Sequence, residues 1–102
     1  MESDGRRYAR LPYFADIAYS VHGEREIKSG HCIDLSHNGL LIETDSPLDQ
    51  GQIINAELST DNPLFKPMQV TFVVVRVEKN EEGGWRISGE VTRIDGKDLK
   101  IS

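Results

Sequence analysis

From Tyr13 onward, apolar and polar residues alternate with period two, and this alternation fixes what the chain can fold into. Tyr13, Ala15, Ile17, Tyr19 and Val21 fall on one side of an extended segment, with Asp16 and Ser20 on the other. Ile54, Ala56 and Leu58 repeat the pattern, and Met68 to Val77 forms the strongest strand, with Val70, Phe72, Val73, Val74 and Val75 at its centre. Such spacing buries one face of a strand and wets the other. Turn signals separate these runs: His22-Gly23-Glu24, Asn38-Gly39, the loops Asp45 to Gly51 and Thr60 to Pro67, and Glu82-Gly83-Gly84. The last of these closes a hairpin into Trp85, Ile87, Gly89 and Val91, while residues 27 to 34 and Leu40-Leu41-Ile42 supply two further strands. Six strands with no helix between them predict an all-β fold, an antiparallel barrel or sandwich. The six-stranded barrel is favoured because closure removes exposed edges. The tail from Asp95 to Ser102 reads either as a strand end through Leu99 and Ile101 or as one helical turn over Lys97 to Ile101.

A chain of 102 residues fits one domain, 1–102, with a single core and little area for an enclosed cavity. A surface groove or an arm is then the way to hold a ligand. Residues 1 to 10 are polar and charged and read as a flexible arm, with Pro12 marking the edge of the ordered part. No apolar run approaches the roughly 20 residues that span a bilayer. Glu2 and Asp4 follow Met1, which is not the basic start of a signal peptide. The single cysteine, Cys32, precludes an internal disulfide and suits a reducing compartment. The expectation is a cytoplasmic protein without membrane insertion.

The net charge of −5 argues against DNA or RNA, which needs a continuous basic surface to displace counterions. The positive charge is concentrated instead: Arg6, Arg7 and Arg10 stand within five residues, and positions 29 to 65 contain no Lys or Arg. A focused positive spot on an acidic body suits a compact anion.

Two motifs can carry chemistry. In Arg6-Arg7-Tyr8-Ala9-Arg10, three guanidinium groups offer planar forks of donors that match phosphate oxygens and the O6/N7 edge of guanine, and they stack on π-systems. Arg6 and Arg10 point the same way in an extended arm, with Cα atoms up to roughly 13 Å apart. The bland reading is a solvated basic arm. In Asp34-Leu35-Ser36-His37-Asn38-Gly39, Asp34 offers a carboxylate that can accept from the N1–H and N2–H₂ edge of guanine, Ser36 adds a hydroxyl, and Gly39 permits a positive φ and close approach to the backbone. The bland reading here is local bonding within the turn.

Taken together, Arg-x-x-x-Arg, a strand pair and then Asp-x-Ser-x-x-Gly resemble the PilZ domain family over roughly residues 5 to 94. The apolar strand after the second motif, Gly51 before the next strand, and a long Val-rich strand leading into a Gly-Gly hairpin fit the same pattern. The resemblance implies a six-stranded antiparallel barrel that binds cyclic di-GMP, a bacterial second messenger, as one nucleotide or a stacked pair. It implies that Arg6 and Arg10 hold the phosphates and stack on or bond a base, that Asp34 and Ser36 engage the other base edge, and that Gly39 keeps the surface open. Arg7 occupies a variable position inside the motif. Arg76 falls, by parity, on the face of Val70, Phe72 and Val74; it either lies beside the ligand, as a large residue near this position can in the family, or is a strand-end charge reaching solvent. The family's C-terminal helix is short or absent here, or was cut from a longer parent.

Catalysis and metal binding find no support. Asp34, Ser36 and His37 stand within four positions of one turn, where a Ser–His–Asp relay does not line up. His31 and Cys32 face opposite sides of a strand, so they make poor co-ligands, and Cys32 reads as a small buried apolar residue. The expectation is a non-enzymatic receptor with no cofactor, signalling to a protein partner or to a parent-protein domain. The alternative is an adaptor on the same fold that binds proteins and no nucleotide.

Overall fold

The computed structural model describes residues 15–36 and 38–99, all of it strand, turn or loop. The elements are β1 (Ala15–Val21), β2 (Lys28–Leu35), β3 (Gly39–Thr44), β4 (Ile53–Ser59), β5 (Met68–Lys79), β6 (Trp85–Ile94) and β7 (Lys97–Asp98). Neighbours run antiparallel in the order β3-β2-β1-β4-β5-β6-β7, and a further ladder from β3 to β6 closes the first six strands into a barrel. The expected barrel is therefore present, and no helix stands among the described residues. None is thus long and apolar enough to cross a membrane.

Alternation becomes burial as expected. Ala15, Ile17 and Tyr19 of β1 and Ile54, Ala56 and Leu58 of β4 point inward, each separated by an exposed neighbour. They meet Val70, Phe72 and Val74 of β5 and Ile42 and Ile87 of β3 and β6 in one core. Tyr19 brings a hydroxyl into that core, and Thr44 satisfies it at 2.6 Å. The Thr44 hydroxyl donates to the Ser29 carbonyl (3.3 Å) and accepts from the Ser46 amide (3.3 Å), which leaves Tyr19 to donate. Neither hydroxyl, Tyr19 or Thr44, is stranded. Cys32 is wholly buried, as its apolar reading required, while His31 is exposed on the opposite face.

The described part of the tail, residues 95–99, forms a hairpin and no helical turn, while Ile101 lies outside the described residues. Ile94 pairs with Lys97 across the two-residue turn Asp95-Gly96. Both turn residues have positive φ, 50° and 82°, the type I′ pattern that Asp-Gly favours. The turn is tied to β5 by Asp95 N–H donating to the Gln69 carbonyl (2.7 Å) and Gln69 N–H donating to Asp95 Oδ1 (2.9 Å).

Three one-residue register shifts interrupt the ladders, and each inverts which side chains face inward. In β2 the shift lies between Cys32 and Asp34, so Cys32 and Leu35 both turn to the core. In β5 it lies between Val74 and Arg76, so Val74 and Val77 turn inward. The third skips Thr92, with Val91 and Ile94 inward. Such bulges insert one extra residue and re-aim the side chains beyond it. The second corrects the parity reading of Arg76. The residue does not share the face of Val70, Phe72 and Val74; the bulge at Val75 turns it outward beside Glu78.

Gly89 is demanded by the packing, since a Cβ there would fall against the ring of Phe72. Gly89→Ala should cost about 1–3 kcal/mol in denaturant unfolding, and Phe72→Leu in the same chain should recover part of that loss; additive costs would show that the ring is not the obstacle. Burial also raises the Cys32 thiol from its ordinary 9.0 to about 11. The folded chain then holds a proton that the unfolded chain releases, so stability falls as pH rises from about 9 to about 11. Melting temperatures should show this fall in the parent and a shallower one in Cys32→Val.

Candidate functional site

The Asp34–Gly39 motif forms the connection between β2 and β3. Asp34 would share the inward parity of Cys32 in a regular strand, but the bulge at Ile33 turns it to the outer surface, where it is exposed. Among the described residues no side chain takes up its carboxylate. Ser36 closes the turn: its amide donates to the Gly39 carbonyl at 2.9 Å and its hydroxyl reaches the same oxygen at 3.3 Å. The local role expected of a turn serine is thus real, and the hydroxyl remains exposed with lone pairs to spare. The Val91 amide, donating to the Asn38 carbonyl at 2.9 Å, anchors the turn on β6.

Gly39 departs from its sequence expectation. It does not have a positive φ; it is the first residue of β3. A Cβ there would meet only ordinary contacts, the Gly89 carbonyl at 3.5 Å and Ser36 Oγ at 3.6 Å. The fold does not need a glycine at this outward-facing position, so the missing side chain is space on the outer surface.

Cross-strand pairing places Asp34 in a row with three other outward residues. Asp34 pairs with Leu41, Leu41 with Ser88, and Ser88 with Arg76. At about 4.8 Å per strand the row runs about 14 Å from carboxylate-bearing to guanidinium-bearing backbone. Both ends are turned outward by bulges. Leu41 and Ser88, which motif reading passed over, form the middle of this surface; only the strand register reveals them. Arg76 Nε lies 3.1 Å from Glu78 Oε2, but the two side chains are 69% and 52% exposed. Such a pair is weak and easily exchanged for a better anion.

One ladder step away runs a second row of successive partners, Asp16, His31, Glu43, Arg86 and Glu78, alternating acidic and basic. Arg86 Nη2 donates to Glu43 Oε2 at 2.7 Å, and His31 Nδ1 stands 3.4 Å from Asp16 Oδ1. An open groove of about 550 Å³ borders this row and takes in Asp45 and Glu82 as well. Its carboxylates suit no phosphate. Among the described residues, no group of three or more His, Cys, Asp or Glu side chains is arranged to hold a metal ion.

Arg6, Arg7 and Arg10, together with His37, lie outside the described residues. The point at which the first segment joins the barrel is described, however. Ala15 pairs with Cys32 and Asp16 with Ser59, so the chain enters at the end that carries Asp34, Ser36 and Gly39. Arg10 precedes Ala15 by five positions, a span of at most about 17 Å.

Comparison with known proteins agrees with this architecture. The family model described as PilZ domain matches residues 4–101. No curated protein and no solved structure matches the chain.

Proposed function

The chain belongs to the PilZ domain family, a family of cyclic di-GMP receptors, and from that premise we propose that it is a non-catalytic receptor for this nucleotide. The ligand is clamped between the Arg6–Arg10 segment and the outer surface at Asp34, Ser36 and Gly39. The observation that carries this reading is the bulge at Ile33, which puts a carboxylate without a described partner outside the barrel at the end where the first segment enters. Arg6 and Arg10 neutralise the phosphates and cover a guanine, and Asp34 accepts from the edge of a base. Ser36 contributes its free hydroxyl capacity, and Gly39 leaves room for the ligand to lie close. Arg7 and Arg76 are auxiliary; Arg76 closes the far end of the row that starts at Asp34. Binding fixes the arm in one conformation, and the surface so formed is read by a downstream protein or by a domain joined to this one. The setting is the bacterial cytoplasm. No nucleic acid and no cofactor takes part.

Titration calorimetry with cyclic di-GMP, alongside GTP and cyclic di-AMP, tests the reading. Charge-assisted hydrogen bonds contribute about 1.5–3 kcal/mol each, so Arg6→Ala or Arg10→Ala should weaken binding about ten-fold to more than a hundred-fold. Asp34→Ala should have a smaller but clear effect. Two Arg variants that bind like the parent would dismiss the clamp, and a parent that binds nothing would leave the protein-binding adaptor. Affinity should also fall as salt rises, since phosphates are being neutralised.

Gly39→Ala separates fold from function. Its unfolding midpoint should match the parent's, because the Cβ meets only ordinary contacts. Its affinity for cyclic di-GMP should nevertheless fall; equal affinity would show that the ligand does not approach this strand.

A further inference from the structure

We propose that Cys32 is a positioning residue for Asp34: its buried thiol pins the β2 bulge that presents the carboxylate to the ligand, a role that rests on the receptor reading above. The geometry starts from parity. Cys32 and Asp34 are two residues apart, so an unbroken strand would put both on the core side, next to Ile42. A carboxylate there would be desolvated with no cation to meet it, so the core excludes it. The single extra residue, Ile33, is what separates a wholly buried Cys32 from an exposed Asp34.

A bulge leaves its extra residue unpaired and disrupts the ladder locally, so a contact that spans it adds to what the flanking pairs supply. The Cys32 thiol supplies this from inside: Sγ stands 3.4 Å from the Asp34 carbonyl oxygen, to which its S–H donates. The contact spans the irregular residue and joins the last core-facing position before the bulge to the backbone of the residue being turned out. At 0% exposure the thiol has no water to compete for its hydrogen. A thiol keeps that hydrogen at neutral pH, and burial, which raises its pKa to about 11, extends the protonated range well above it. Ser36 and Asn38 hold the turn farther on, but neither reaches back across Ile33.

The test compares Cys32→Ser, which keeps a donor, with Cys32→Val and Cys32→Ala, which lose it while raising and lowering the side-chain volume. Two readouts are taken on the whole chain: amide hydrogen exchange at residues 33–35 without ligand, and calorimetric affinity for cyclic di-GMP. An S–H···O contact is a weak bond, so Val and Ala should each exchange faster at the bulge and bind about two- to five-fold more weakly. Ser should stay near the parent in both. Val and Ala indistinguishable from the parent in exchange would overturn the proposal, as would losses that follow side-chain volume and fall on Ser as heavily as on Ala. Should the parent itself bind no cyclic di-GMP, the receptor reading fails, while exchange at residues 33–35 still decides whether the thiol holds the bulge.

Discussion

The ladder between β3 and β6 is the constraint on which the rest of the structure depends. Without it the six long strands would be an open sheet with two exposed edges and a half-wet apolar face. With it, Ile42 and Ile87 complete a core that also takes in Tyr19, Phe72 and Leu58. Closure also gives the surface its continuity. Because β3 is bonded to β2 on one side and β6 on the other, Asp34 of β2 and Arg76 of β5 become ends of one row, although 42 positions separate them in sequence (76 − 34).

Much of this was legible in the sequence. The two strands that alternate cleanly, β1 and β4, bury the residues that parity selects. The turn dipeptides fall where the chain reverses. Parity failed at bulges, for a physical reason: an inserted residue reverses the phase, and alternation alone does not show where. In β5 the run Val73-Val74-Val75 is apolar on both phases, which masks the shift and sent Arg76 to the wrong face. In β2 the spacing carries a trace of it, since Cys32 and Leu35, three apart, both reach the core. Asp95-Gly96 was the readable signal in the tail. The arginine motif was legible as chemistry, and its residues lie outside the described ones; the row through Leu41 and Ser88 was not legible, because register between distant strands is written in no local pattern.

The glycines divide by what the fold asks of them. At Gly89 the Phe72 ring occupies the place of a side chain, and at Gly30 a Cβ would stand 2.5 Å from the Glu43 carbonyl oxygen. Those two serve packing. Gly39 meets no such obstacle, so its bareness belongs to the outer surface. Similar sorting applies to charge: the row from Asp16 to Glu78 sets three carboxylates against one Arg and one His and stays acidic, whereas the Asp34 row keeps its acid and its base at opposite ends. An acidic protein can in this way show an anion a surface that does not repel it.

Closure has a mechanical consequence. A ring of strands cannot widen or shear at one point without shifting the hydrogen-bond register all the way round, and a core filled by Tyr19, Phe72 and their neighbours leaves no slack to absorb such a change. The barrel therefore behaves as an anvil. On the receptor reading proposed above, a ligand at the rim would act on what lies outside this body and not on the register of the barrel itself.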